Sequence, residues 1–88
     1  MTRKLRFSRH ARNRMLDFHL DVSDVQTALA SAEVIEQYEE GAQLVLGRSG
    51  TQALHVVVVH LNEITLVITV YLPDPARWDA GFRHRIRS

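Results

Sequence analysis

His10 and Arg14 stand four residues apart. On a helix that spacing puts both side chains on one side, nearly a quarter-turn from an apolar stripe of Ala11, Met15 and Phe18. Arg9, His10 and Arg12 fall in the first turn of that helix. The helix dipole disfavours cations there, so this end is suited to holding an anion such as phosphate. The dipole and the neighbouring arginines also favour a neutral imidazole at His10, which can accept a proton. A solvated surface histidine among arginines fits the same spacing, and the residues leave both readings open.

His55 begins the most apolar stretch of the chain, Val56-Val57-Val58-Val59. A buried histidine needs a hydrogen-bond partner whether or not it is catalytic. Thr69 or Tyr71 on the following strand could supply one, the choice depending on the register of the hairpin around Leu61, Asn62 and Glu63. A satisfied structural histidine at the end of a sheet is the competing reading. Metal binding has less support: His55 and His60, five apart on a strand, point to opposite faces, and His10 and His19, nine apart, fall on opposite sides of a helix. No Gly-rich phosphate loop, Gly-x-Ser-x-Gly or paired-carboxylate pattern supports a nucleotide hydrolase, an esterase or a glycosidase. No cofactor is expected.

These residues are positioned by elements that the pattern also marks. Lys4 to Phe7 reads as a short extended lead-in, and Ser8 caps a helix running to about Phe18. Ser23 with Gln26 three residues later has the form of a capping box. Val25, Ala28, Leu29 and Ala32 then repeat at helical spacing. Extended segments follow over 34–39, 43–48, 53–60 and 64–72, separated by Gly41, a Ser49-Gly50-Thr51-Gln52 turn and a short hairpin. Short connections imply an antiparallel meander. Pro73 and Pro75 end the last strand, and Trp78 and Phe82 are placed to pack over a sheet face.

At 88 residues the chain can bury only about 60 to 65% of its unfolded surface, enough for one core, so residues 1–88 are expected to form a single domain. An apolar fraction of 45% and a charged fraction of 24% are those of an ordinary globular protein. Without cysteine, neither a disulfide framework nor a thiolate zinc site supports the core. The apolar stretches are strand-length and no apolar leader follows Arg3, Lys4 and Arg6, so a cytoplasmic protein with no membrane span is expected. The net charge of +1 hides an asymmetry. Arg3, Lys4, Arg6, Arg9, Arg12 and Arg14 precede the first acid, and Arg77, Arg83, Arg85 and Arg87 crowd the other end. Brought together, these ends would make a basic side suited to a polyanion.

Phe7-Ser8-Arg9-His10-Ala11 with Arg12, Arg14 and Met15, the Val25 to Leu29 helix, Val34-Ile35-Glu36, Leu46-Gly47-Arg48, Leu54 to Val58 and Ile68 to Tyr71 stand in a distinctive order. Pro73-Asp74-Pro75, Arg77-Trp78 and Gly81-Phe82 follow them. This order resembles the domain-of-unknown-function family 4258. The resemblance implies the fold of the barnase, EndoU, colicin and RelE nucleases, and a toxin of a toxin–antitoxin pair. It carries the family's helix histidine onto His10 and its companion arginine onto Arg14; His55, Thr69 and Tyr71 come from the residues themselves.

The expectation is therefore an α+β fold, with two N-terminal helices packed on a four-stranded antiparallel meander. The expected activity is metal-independent endoribonuclease chemistry. His10 would be the base, Arg14 and Arg48 would hold the phosphate, and His55 or Tyr71 would be the acid. Arg9, Arg12, Arg48, Arg83 and Arg85 would bind the nucleic acid. RNA and a cognate antitoxin are the expected partners. The competing expectation is a binding module whose basic face grips nucleic acid or an acidic antitoxin without breaking a bond.

Overall fold

The computed structural model describes residues 4–86; Arg3 and Arg87, counted above with the basic ends, lie outside them. The elements are β1 (Lys4–Phe7), α1 (Arg9–Asp17), α2 (Val22–Ala30), β2 (Glu33–Gln37), β3 (Gln43–Ser49), β4 (Gln52–Leu61) and β5 (Ile64–Tyr71). Ser8 caps α1: its Oγ accepts from the Ala11 amide at 3.0 Å and donates to the Ile68 carbonyl at 2.7 Å, fastening the helix start to β5. The capping box of α2 is Asp21 with Asp24 rather than Ser23 with Gln26. Ser23 lies inside the first turn and donates its hydroxyl to Asp21, and the Asp21 carboxylate at the N-cap meets the positive end of the helix dipole.

Strands β2 to β5 form the antiparallel meander, but the sheet has a fifth strand and is mixed. Its order is β1-β5-β4-β3-β2, and β1 runs parallel to β5 from Lys4↔Ile64 to Phe7↔Val67. The class is α+β; the four-stranded antiparallel expectation is corrected by this edge strand. Its pairing joins residues some sixty positions apart, so no local spacing announces it. The meander's tight turns are Gly50-Thr51 between Ser49 and Gln52 and Asn62-Glu63 between Leu61 and Ile64. Gly50 and Asn62 supply the left-handed backbone those turns use.

Both helices lie on one face. Ala11 and Met15 of α1 and Val25 and Ala28 of α2 join Val45, Leu54, Val56, Val58, Val67 and Val70 in a single core, with Leu5 and Phe7 packed at its margin. At Gly47 a side chain would run into the Ala28 carbonyl, so α2 can settle on β3 only over a glycine. Strand alternation sends Leu44, Leu46, His55, Val57, Thr69 and Tyr71 to the opposite, helix-free face. The chain beyond Tyr71 crosses that face. Asp79 N–H donates to the His84 carbonyl, Ile86 N–H to that of Arg77, and Trp78 pairs with Arg85, so residues 77–86 form a small hairpin strap.

Candidate functional site

The helix-free face gathers a cluster of titratable groups from separate segments. Register aligns Glu33, Leu46, His55 and Tyr71 in one row and Glu36, Leu44, Val57 and Thr69 in the next. Glu33 and Glu36 would point to opposite sides of a regular strand; a bulge between Val34 and Glu36 brings both carboxylates to this side. The strap supplies the rest. Arg83 Nε donates to Glu33 at 2.6 Å, and Arg85 grips Glu36 with Nε at 2.8 Å and Nη2 at 3.0 Å. The Arg85 guanidinium also lies 4.6 Å from the Trp78 ring centre.

His55 is fully buried beneath this strap. Its Nε2 lies 2.8 Å from the Phe82 carbonyl and its Nδ1 3.2 Å from the Tyr71 hydroxyl. A carbonyl only accepts, so the geometry assigns the proton to Nε2 and leaves Nδ1 to accept from Tyr71. Tyr71 and Trp78 meet the ring edge-on, at centroid distances of 5.2 and 4.4 Å. Burial lowers the pKa of His55 and keeps it neutral. The hydrogen bond from Arg85 lowers that of Glu36, with Tyr38 Oη donating to the same carboxylate at 2.7 Å. Burial first, and then Glu36, push the Tyr38 phenol up to about 12. A carboxylate, an imidazole, a guanidinium and two phenols therefore occupy one patch. That set can accept a proton, donate one and hold an anion.

The residues nominated from sequence divide between the two faces. His55 and Tyr71 meet, and Tyr71 rather than Thr69 is the histidine's partner. Arg83 and Arg85 join them. His10 and Arg14 belong to α1, on the other face: His10 is exposed, and Arg14 spans 3.6 Å to Asp17 while lying 4.8 Å from the Phe18 ring centre. Arg9 and Arg12 are exposed on the same helix. The arginines of α1 and those of the strap thus lie on opposite sides of the sheet instead of sharing one surface. Arg48 is exposed on the helix-free side, two residues beyond Leu46. Glu33, Glu36 and Tyr38 were not nominated, since only the bulge and the strap give them neighbours.

Two other features bound the chemistry. A groove of about 670 Å³ opens on the helix-bearing face, lined by Leu29, Val34, Val45 and Val58 with Lys4, His60 and Thr65 among its polar groups. It holds none of the nominated residues. His60 bonds Thr65 there at 3.0 Å, on the face opposite to His55. No group of three or more metal-ligating side chains exists among the described residues, and no described helix is long and apolar enough to cross a membrane.

The model of a protein family described as "Domain of unknown function (DUF4258)" matches residues 7–72. The match takes in both helices and strands β2 to β5 and stops before the strap. No curated protein and no solved structure matches the chain.

Proposed function

This chain belongs to the DUF4258 family, and we propose that it is a metal-independent endoribonuclease working from the helix-free face of its sheet. The observation that carries this reading is the convergence of Glu36, His55, Tyr71 and Arg85 from four separate segments onto one patch. A fully buried histidine whose pKa burial lowers, set beside an arginine-held carboxylate, is the kind of cluster that marks a working site. In the reaction the RNA 2′-oxygen bonds to phosphorus and the bond to the 5′-oxygen breaks, leaving a 2′,3′-cyclic phosphate. Glu36 takes the 2′-hydroxyl proton, and His55, once uncovered and protonated from water, gives its Nε2 proton to the departing 5′-oxygen. Arg83 and Arg85 hold the phosphate as charge builds on it. Tyr71 is a positioning residue that fixes the imidazole through Nδ1. His10 has no part in this arrangement.

Purified protein should cleave single-stranded RNA in the presence of EDTA, leave a 2′,3′-cyclic end and spare the deoxy analogue. Glu36→Gln and His55→Gln should each slow cleavage by about 10²-fold or more, whereas His10→Ala should leave it within about twofold of the parent. A large loss in His10→Ala instead would return the site to α1. Translating extract belongs beside naked RNA as a substrate, since ribosome-dependent cleavage is silent on RNA alone.

The second reading is a binding module for nucleic acid or for an acidic antitoxin. It is favoured by His55, whose two ring nitrogens are both engaged and which has no exposed surface. RNA that binds but stays intact in both assays selects it.

A further inference from the structure

We propose that the C-terminal hairpin, residues 77–86, is a strap that closes the helix-free face through carboxylates standing in for phosphates, and that a nucleic-acid backbone opens it by taking Arg83 and Arg85 away from Glu33 and Glu36. This rests on the function proposed above and names the regulation of that site.

Four observations converge on it. The arginines suited to hold a substrate phosphate are held by the chain's own acids, at 2.6 Å for Arg83 and 2.8 Å for Arg85. The strap lies directly over the histidine: Trp78 is 4% exposed and abuts the ring, and the Phe82 carbonyl accepts the hydrogen bond from Nε2–H. His55 has no exposed surface while the strap is down. The strap also has its own internal bonds, from Asp79 to His84 and from Ile86 to Arg77, so it can leave as a unit and keep its shape. Finally, its turn is strained: Phe82 has φ of 60°, a left-handed conformation that a bulky residue adopts only when its surroundings impose it.

The Arg83–Glu33 pair gives way first, while Arg85, bidentate on Glu36 and against Trp78, is held more firmly. Both partners of the Arg83–Glu33 pair are about half exposed, at 50% and 48%, and pairs of this kind contribute little net stability and weaken further with salt. An RNA backbone offers several closely spaced phosphates to the same two guanidinium groups, each able to hold one through two N–H donors as Arg85 holds Glu36. Opening would also change the uncovered groups. Water would relieve the burial that keeps His55 neutral, and Glu36 would lose the bond that holds its proton affinity down. The histidine becomes a better acid store and the carboxylate a better base in the same movement.

Trp78 is the chain's one tryptophan, so its emission and its quenching by acrylamide report the strap alone. The probe is a deoxythymidine oligonucleotide of about ten residues, which offers phosphates and cannot be cleaved through a 2′-hydroxyl. Binding should shift Trp78 emission to the red and raise its quenching. Glu33→Gln should bind the probe about fivefold more tightly, with Trp78 more accessible in the free protein and the maximal cleavage rate unchanged. Arg83→Gln should loosen Trp78 in the same way but bind more weakly. An ion pair that only supports the fold would move both affinities in one direction, and that result overturns the strap. So does a bound probe that leaves Trp78 protected, or a probe that fails to bind. RNA cleaved while Trp78 remains protected overturns the strap and leaves the nuclease standing. Trp78 uncovered by the probe while RNA stays intact supports the strap and refutes the nuclease.

Discussion

At His55 the imidazole is enclosed by Tyr71, Trp78 and the Phe82 carbonyl with no surface left to water, which fixes how this side chain answers to acid. Its pKa in the folded chain lies below the ordinary 6.5 because burial penalises the charged form. Below pH 6.5 the unfolded chain takes up a proton that the folded chain does not, so stability should fall as pH falls and level off below the folded value. Denaturant titrations of the parent and of His55→Gln between about pH 7 and pH 5 should differ in slope, with the variant flatter. Glu36 acts at lower pH. Its folded pKa is below the ordinary 4.5 through the bond from Arg85, so the stability it contributes is complete above 4.5 and is lost as pH drops through the folded value. His55→Ala removes two hydrogen bonds and leaves a void under Trp78; urea unfolding should register a loss of about 3 kcal/mol.

Among the elements, the seat of α2 on β3 is the tightest constraint. Gly47 has no room for a Cβ beside the Ala28 carbonyl, and the atom it would meet is backbone, which cannot swing aside as a side chain can. Gly47→Ala should therefore destabilise the fold by about 1–3 kcal/mol, measured as a shift in the urea midpoint without a change in slope. The helix-free face should respond indirectly, since β3 carries Leu46 beside His55. Ser8 matters to α1 in a different way, because one hydroxyl both caps the helix and ties it to Ile68.

For the whole molecule, the division of cations between two faces turns the location of nucleic acid into a salt experiment. Each phosphate neutralised on a single strand contributes about −0.7 to the slope of log affinity against log salt. Arg83→Gln should flatten that slope by about 0.7, while Arg9→Gln should leave it unchanged, if RNA lies on the helix-free face. The reverse pattern would place RNA along α1. Surface exposure alone would have favoured Arg9 and Arg12, which are free among the described residues, over arginines that already hold carboxylates.

Local spacing was enough to determine the two helices, the four meander strands and their turns, because periodicity, caps and turn residues act within a few positions. It also singled out His55 as a buried histidine in need of a partner, with Tyr71 as one of two choices. Long-range geometry decided everything else. The parallel pairing of β1, the bulge that turns Glu36 to the side of His55, and the strap that sets Arg85 on Glu36 all join segments far apart in sequence. His10 and Arg14 share a helix side, as their spacing requires, but the face on which that helix lies is chosen by Ala11 and Met15 entering the core. Spacing along one element fixes which side chains are neighbours on it; only packing between elements fixes which of them can meet across a sheet.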